Sequence, residues 1–270
     1  MKKFEGMLFC TDLDGTLYRD DKTISRENLE AIEYFKAEGG AFTFITGRVP
    51  KTSKHIYEAI RPNAPFGCFN GGAIYSHLEE KYLWSRQVDE SAIELVRAVD
   101  KAFPDMGIQY NTASEVIFCK NNLATHHFRQ ATGMPNLCRS YEEITEPVIK
   151  IVFADTEIPQ IEALAKMLNA HPLAERFDFI RSEKTLYEIL PKGVSKGALL
   201  QKLAELLQID TKRTIAVGDY NNDISMIRTA GIGYAVANAV PEAKAVADRI
   251  TVGNNDHAIA AIIRELDQGL

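Results

Sequence analysis

The chain has 270 residues, of which 46% are hydrophobic and 25% are charged, a composition typical of globular proteins and not of disordered ones. Its formal net charge of -6 argues against non-specific binding to nucleic acids, because an acidic surface repels their phosphates. The sequence contains no apolar run of the roughly 18 residues that a membrane-spanning helix requires.

The four cysteines lie far apart and include no C-x-x-C pair, so the spacing indicates neither a zinc site nor a disulfide framework. The N-terminal residues lead into a short strand-like run rather than into the apolar core of a signal peptide. We therefore expect a cytoplasmic protein.

The first part of the chain predicts alternating strands and helices. The apolar run at residues 7–11 is typical of a strand buried on both faces, and Ser25 offers an N-cap for a helix that ends at Gly39. A second buried strand (41–45), a helix (about 51–60) and a strand before Asn70 follow. Such alternation favours right-handed crossovers and a parallel sheet.

The middle of the chain predicts a different mixture of elements. One helix is expected over about 158–170, and two strands (107–112 and 115–120) are close enough in sequence to form a hairpin. The other predicted strands are 82–88, 148–153, 177–181 and 185–190.

The strand–helix alternation returns after Ser195. The predicted elements are a helix, a buried strand (214–217), a helix (about 223–229), a strand (233–236), a helix (about 241–247) and a final helix. We therefore predict a discontinuous core domain of residues 1–82 and 190–270, interrupted by an inserted domain of residues 83–189.

Three of the predicted buried strands end in polar segments that a protein core would not choose. They are residues 12–16 (Asp-Leu-Asp-Gly-Thr), 46–48 (Thr-Gly-Arg) and 218–223 (Gly-Asp-Tyr-Asn-Asn-Asp). In an open parallel sheet, ligands bind outside the carboxyl ends of the strands. The three segments therefore predict one crevice that holds four carboxylates, those of Asp12, Asp14, Asp219 and Asp223.

Carboxylates gathered in one cleft repel each other, so a positive charge is expected among them. Oxygen ligands without a nearby histidine or cysteine favour a hard cation, and Mg²⁺ fits best because it also bridges to phosphate. Lys196 opens a predicted helix and offers a second positive charge near a helix N-terminus, which favours anions. A metal, a lysine and a threonine around an aspartate predict a phosphate-binding site.

These segments, in this order, resemble the four motifs of the haloacid dehalogenase (HAD) superfamily of phosphotransferases. Residues 12–16 resemble the first motif, Thr46 the second, Lys196 the third and residues 218–223 the fourth. The insert is similar to a C2 cap, and residues 235–241 (Ala-Val-Ala-Asn-Ala-Val-Pro) are similar to the Cof-type sugar-phosphate phosphatases. The resemblance implies an α/β fold with a Rossmann-like parallel-sheet HAD core and an inserted α+β C2-type cap domain.

The resemblance also implies roles for the acidic residues. Asp12 would be the nucleophile that forms an aspartyl-phosphate, and Asp14 would act as general acid and base, which requires a raised pKa. Mg²⁺ would be held directly by Asp12 and Asp219 and by the backbone carbonyl of Asp14. Asp223 would either bind the metal through water or orient Lys196.

The remaining motif residues would contact the substrate. Thr46 and Lys196 would hold the phosphoryl oxygens as part of the catalytic machinery. Gly47, Arg48 and Asn222 would complete the substrate-binding residues, and the turn at residues 70–72 is expected to line the crevice. The cap would act as a lid that selects the leaving group.

The resemblance implies a magnesium-dependent phosphatase that acts on small phosphorylated metabolites, such as sugar phosphates or similar phosphomonoesters. A phosphosugar mutase, which would return the phosphoryl group to another hydroxyl, is the first alternative. A phosphorylated switch and a non-enzymatic protein that binds phosphate or metal are further alternatives. We expect a monomer or homodimer with neither a nucleic acid nor a membrane as partner.

Overall fold

The computed structural model describes residues 2–269, and these divide into two compact units. The first unit contains the residues as far as Trp84 and those from Ser195 onward, and the second contains Ser85–Val194. Met1 and Leu270, the outer ends of the predicted core domain, lie outside the described residues. Among the described residues, no helix has both the length and the apolarity needed to cross a membrane.

The strands are numbered in chain order. They are β1 (Leu8–Thr11), β2 (Ala41–Phe44), β3 (Phe66–Cys68), β4 (Ala73–Ser76), β5 (Lys81–Ser85), β6 (Gly107–Thr112), β7 (Val116–Lys120), β8 (Val148–Ala154), β9 (Phe177–Glu183), β10 (Leu186–Pro191), β11 (Thr214–Gly218), β12 (Ile232–Ala235) and β13 (Arg249–Ile250).

The α-helices are numbered in the same way. They are α1 (Arg26–Ala37), α2 (Lys54–Ile60), α3 (Ala92–Ala102), α4 (Leu123–Thr132), α5 (Ile158–Asn169), α6 (Lys196–Leu206), α7 (Ile224–Thr229), α8 (Pro241–Lys244) and α9 (Ala258–Asp267).

The first unit is built on a five-stranded parallel sheet with the strand order β13-β12-β11-β1-β2. Strand β1 lies between β11 and β2 and is buried along its whole length, as expected for a strand covered on both faces. In the register, Cys10 lies opposite Thr43 of β2 and Ala216 of β11. Because these strands are parallel, the segments that follow β1, β2 and β11 begin at the same edge of the sheet.

The first unit differs from the sequence-based prediction in one region. After β3 the chain reverses at Asn70 and Gly71, whose φ angles are +55° and +104°. It forms a three-stranded sheet in the order β3-β4-β5, in which β3 and β4 are antiparallel. The prediction contained one strand before Asn70 and a later strand over 82–88. The reversal depends on left-handed backbone, which hydrophobic periodicity does not reveal.

The second unit contains a five-stranded antiparallel sheet with the order β7-β6-β8-β10-β9. The two predicted strand pairs, β6 with β7 and β9 with β10, are confirmed as antiparallel neighbours. Helices α3 and α5 pack on one face of this sheet and complete an apolar core. The prediction missed α3 and α4, although the buried positions of α3 have helical spacing. The parallel sheet of the first unit and the antiparallel sheet of the second unit confirm the predicted α/β core with an inserted α+β segment.

Candidate active site

The centre of the candidate site is a buried lysine between two carboxylates. Asp12 directly follows β1, and Lys196 is the first residue of α6, whose N-terminus is capped by the side chain of Ser195. The Nζ of Lys196 donates hydrogen bonds of 2.6 Å to Oδ1 of Asp12 and of 2.6 Å to Oδ1 of Asp223. All three charged side chains are buried, so their interaction is only weakly screened by water.

Asp223 uses both of its carboxylate oxygens inside the protein. Its Oδ1 accepts from Lys196, and its Oδ2 accepts from the backbone N–H groups of Asp219 and Tyr220 at 3.0 and 3.1 Å. Asp223 therefore closes the turn after β11 and orients Lys196. Of the two roles predicted for this residue, the geometry supports the orienting one.

Asp219 brings a third carboxylate to the cluster. One carboxylate oxygen from each of Asp12, Asp219 and Asp223 lies within 4.8 Å of the others. Burial and the charge of Asp223 raise the pKa of Asp219 to about 7. Burial and the charge of Asp223 also raise the pKa of Asp12, against the opposing effect of Lys196. A further cation would relieve this repulsion, and a donor set made only of oxygen atoms fits Mg²⁺.

The turn at Leu13–Leu17 packs closely against Asp219. The Oγ1 of Thr16 donates to Oδ1 of Asp219 at 3.0 Å, and Gly15 adopts a φ of +80°. A Cβ atom at Gly15 would lie 2.5 Å from Oδ2 of Asp219, closer than van der Waals contact permits. Glycine is therefore required here both by the backbone conformation and by the approach of Asp219.

Asp14 lies beside two cations that sequence reasoning did not place there. Arg48 donates from Nε to Oδ2 and from Nη2 to Oδ1, each at 2.8 Å, and Lys22 Nζ donates to Oδ1 at 3.0 Å. Burial alone would raise the pKa of Asp14, but the hydrogen bonds and charges of Arg48 and Lys22 lower it. This direction is opposite to the raised pKa that the predicted acid–base role of Asp14 requires.

Asn70 joins the second and fourth motif segments. Its backbone N–H donates to the carbonyl of Thr46 at 3.0 Å, and its Oδ1 accepts from Nδ2 of Asn222 at 3.0 Å. A Cβ atom at Gly47 would lie 2.9 Å from Oδ1 of Asn70, so this position also requires a small residue. Thr46 is buried, and its Oγ1 accepts from the backbone N–H of Arg48 at 3.2 Å.

The structure thus arranges the predicted site residues in three adjoining groups within the first unit. Asp12, Lys196, Asp219 and Asp223 form the first group, Asp14 and Arg48 the second, and Thr46, Gly47 and Asn222 the group around Asn70. Their catalytic and binding roles stay predictions.

Sequence reasoning missed two further contacts of this site. Lys22 contacts Asp14, and Asn238 Nδ2 donates to the carbonyl of Gly15 at 2.8 Å. Asn238 belongs to the segment 235–241, which drew attention only through its resemblance to Cof-type proteins. No local pattern marks Lys22, because its contact depends on the path of the chain after the first motif.

Comparisons with known proteins identify the family of the chain. A family model described as haloacid dehalogenase-like hydrolase matches residues 9–263. The chain is 26% identical over 268 residues to the 5-amino-6-(5-phospho-D-ribitylamino)uracil phosphatase YitU of Bacillus subtilis, and the match covers 96% of each protein.

Two solved structures have the same fold. A haloacid dehalogenase-like hydrolase from B. subtilis is 25% identical with a TM-score of 0.82, and the match covers 98% of this chain and 100% of that chain. The HAD subclass IIB sugar phosphatase BT4131 is 21% identical with a TM-score of 0.86, and the match covers 97% of this chain and 99% of that chain. At this identity, the second similarity concerns the fold alone.

Proposed function

Because the chain belongs to the haloacid dehalogenase-like hydrolases, we propose that it is a magnesium-dependent phosphatase of small phosphomonoesters, such as sugar phosphates. The family match confirms the predicted resemblance and the prediction of a hydrolase. The observation that carries the rest of the proposal is the buried contact of Lys196 with Asp12 and Asp223. This contact supports the proposal because Asp12, the proposed nucleophile, lies beside a cation that can also bind phosphoryl oxygens.

The proposed reaction has two displacements on phosphorus. A carboxylate oxygen of Asp12 attacks the phosphorus atom, the ester P–O bond breaks, and the leaving alkoxide takes a proton from the neutral carboxyl group of Asp14. Arg48 and Lys22 lower the pKa of this group in the free protein, so the proposal requires that the phosphate dianion of the bound substrate raises it. A water molecule then attacks the same phosphorus atom while Asp14 accepts its proton. The bond between phosphorus and Asp12 breaks, which releases inorganic phosphate and restores the free carboxylate.

The cation and the hydrogen-bond donors have separate tasks in this proposal. Mg²⁺ would be held by Asp12, by Asp219 and by the backbone carbonyl of Asp14. When bound, it would neutralise negative charge on the phosphoryl oxygens. The ammonium of Lys196, which is oriented by Asp223, would donate hydrogen bonds to the same phosphoryl oxygens. Thr46 and Asn222 would add hydrogen-bond donors, and Arg48 would hold the carboxylate of Asp14 beside the leaving group.

The substrate class rests on a relative and on the predicted cap. YitU is named as a phosphatase of a phosphorylated ribityl compound, which is a small phosphomonoester. We assign leaving-group selection to the second unit, Ser85–Val194, as the C2-type cap. Exchanges of cap side chains should therefore change the ranking of substrates and leave the requirement for Mg²⁺ intact.

The direct test is release of phosphate from p-nitrophenyl phosphate and then from a panel of sugar phosphates, each with Mg²⁺ or with EDTA. We expect Mg²⁺-dependent release that is lost in an Asp12→Asn variant whose circular dichroism spectrum is unchanged. Transfer of phosphate between sugar positions without net release would instead identify a mutase. Binding of Mg²⁺ without either activity would contradict the proposal and favour a binding or switch role.

A further inference from the structure

A short turn after the first motif carries Lys22 to the carboxylate of Asp14. The Nζ of Lys22 lies 3.0 Å from Oδ1 of Asp14, and the Nη2 of Arg48 lies 2.8 Å from the same oxygen atom. Two cations therefore share one carboxylate oxygen. None of the functional roles described above requires the second cation, since Arg48 alone holds Asp14 through two hydrogen bonds.

The backbone of this turn is tightly constrained. The N–H of Arg19 donates to the carbonyl of Thr23 at 2.9 Å, and the N–H of Lys22 donates to the carbonyl of Arg19 at 3.0 Å. Lys22 itself adopts a φ of +64°, which is uncommon for a residue with a side chain. The turn thus imposes the backbone conformation that directs Lys22 toward Asp14, and this left-handed conformation costs some energy.

A distant segment of the chain anchors the same turn. The Nδ2 of Asn254 donates to the carbonyl of Tyr18 and to Oδ1 of Asp20, each at 2.9 Å. The side chain of Asn255 accepts from the backbone N–H of Asp20 at 3.1 Å and donates to its carboxylate at 2.9 Å. These bonds hold Tyr18 and Asp20, which precede Lys22 in the turn, in place before any ligand binds, and so lower the entropy that ordering the turn would cost.

The ion pair itself contributes little to stability. The side chain of Lys22 is 66% exposed and that of Asp14 is 35% exposed, and pairs of this kind are weak in water. Within residues 2–269, the only ion pair of the Lys22 ammonium is with Asp14, and that contact uses one of its three donors. Lys22 can therefore leave Asp14 for another anion, or bind a second anion, with little loss of stability.

We propose that Lys22 is a specificity-determining residue that binds a carboxylate on the carbon atom that carries the phosphate ester. This inference rests on the proposed function, in which Asp14 gives its proton to the ester oxygen. A side chain that is hydrogen-bonded to Asp14, as Lys22 is, then lies close to the ester oxygen. The substituents of the carbon atom that carries this oxygen lie in the same region. The favoured substrates are phosphorylated hydroxy acids.

A carboxylate fits this position better than a hydroxyl group. Lys22 already pairs with a carboxylate, and its flexible four-carbon chain allows the ammonium to move between two neighbouring anions. A neutral hydroxyl group would accept a hydrogen bond from Lys22 but would not balance the positive charge of its ammonium. A carboxylate adds the Coulomb attraction between two opposite charges, which a hydroxyl group lacks, and this difference predicts discrimination between the two groups.

The test uses two competitors of p-nitrophenyl phosphate hydrolysis that differ at one carbon atom. 2-Phosphoglycerate carries a carboxylate where glycerol 2-phosphate carries a hydroxymethyl group. We expect 2-phosphoglycerate to compete about tenfold more strongly in the wild-type protein. The ratio of the two inhibition constants should approach one in Lys22→Met and be kept in part in Lys22→Arg.

Lys54→Met is the matched control. Lys54 is 65% exposed, forms a surface pair with Glu58 and lies outside the candidate site. Its replacement should leave the ratio at the wild-type value. The inference is overturned if Lys22→Met keeps the wild-type ratio, or if the wild-type protein does not distinguish the two competitors. Absence of any Mg²⁺-dependent hydrolysis of p-nitrophenyl phosphate would instead overturn the proposed function and this inference with it.

Discussion

The Nζ of Lys196 lies 2.6 Å from Oδ1 of Asp12, although 184 residues separate the two in the chain. Lys196 is fully buried, which by itself would lower the pKa of its ammonium, but the charges of Asp12 and Asp223 raise it. The ammonium therefore stays protonated inside the protein. Its charge balances part of the acidic cluster that also includes Asp219.

The first prediction concerns removal of this buried cation. Lys196→Met leaves Asp12 and Asp223 without their common partner, and breaking a buried ion pair in this way costs about 3–5 kcal/mol. We expect a loss of that size in the free energy of unfolding, measured by urea denaturation without Mg²⁺. Phosphatase activity should fall at least about a hundredfold, since Lys196 would bind the phosphoryl oxygens.

The control removes one charge of each sign. The double variant Lys196→Met/Asp223→Asn lacks one cation and one anion, so part of the lost stability should return while activity stays absent. A Lys196→Met protein as stable as the wild type would contradict the balance of charges described here.

The second prediction concerns Mg²⁺ and Asp219. Binding to the folded protein alone stabilises it, by about 2.7 kcal/mol when the ligand concentration is a hundred times Kd. We expect Mg²⁺ to raise Tm in the wild-type protein and to have little effect on Asp219→Asn. Without Mg²⁺ this variant should be at least as stable as the wild type, because it has one fewer carboxylate in a mutually repelling group.

Asp105→Asn is the control for the loss of a carboxylate elsewhere, because Asp105 is exposed in the second unit. Its Tm should respond to Mg²⁺ as that of the wild type does. An Asp219→Asn variant with an undiminished response to Mg²⁺ would show that the cation binds at another place.

The third prediction compares two glycines with a positive φ. A Cβ atom at Gly15 would lie 2.5 Å from Oδ2 of Asp219, whereas a Cβ atom at Gly133 would have nothing within 4 Å. Gly133→Ala should therefore lose about 1 kcal/mol of unfolding free energy from backbone strain alone. Gly15→Ala should lose more and should also weaken the binding of Mg²⁺, because the carboxylate of Asp219 must move.

Calorimetry on both glycine variants would measure the two effects. Equal affinity for Mg²⁺ in Gly15→Ala and Gly133→Ala would contradict the close packing of the first motif on Asp219.

The fourth prediction concerns a buried ion pair in the second unit. Lys150 donates to Glu188 at 3.0 Å on the sheet, and both side chains are almost fully buried. Lys150→Met should cost about 3–5 kcal/mol of unfolding free energy, because it leaves a buried carboxylate without this cation. The double variant Lys150→Met/Glu188→Leu should recover most of that loss.

Arg97→Met is the comparison for the buried pair. Arg97 pairs with Glu142 on the surface of the same unit, and an exposed pair contributes little. Denaturation curves should therefore show a small change for Arg97→Met. A similar small change for Lys150→Met would mean that the surroundings of Glu188 compensate for its lost partner.

Much of the fold could be predicted from local patterns. The apolar runs of β1, β2 and β11 are short, buried on both faces and followed by polar segments, which together indicate a parallel sheet with a site at one edge. The hairpin of β6 and β7 followed from short spacing and strand periodicity. Helix α3 was missed although Leu95, Val96 and Val99 carry the apolar spacing of a helix.

The reversal at Asn70 shows where local patterns fail. Its left-handed backbone and its contacts with Thr46 and Asn222 depend on segments far apart in the chain. Asparagine tolerates such a conformation, but a single asparagine before two glycines predicts only a turn. Which strand follows the turn, and what the turn contacts, is settled by packing.

The sequence by itself determined that Asp12, Asp219, Asp223 and Lys196 would meet, because each stands at an element end that a parallel sheet brings to one edge. Only the tertiary structure decided the surroundings of Asp14. Arg48 and Lys22 lower its pKa, whereas the acid–base role implied by the family resemblance requires a raised pKa. The physical reason is that the pKa of a carboxyl group depends on charges within a few ångströms, and their positions follow from the folded path of the whole chain.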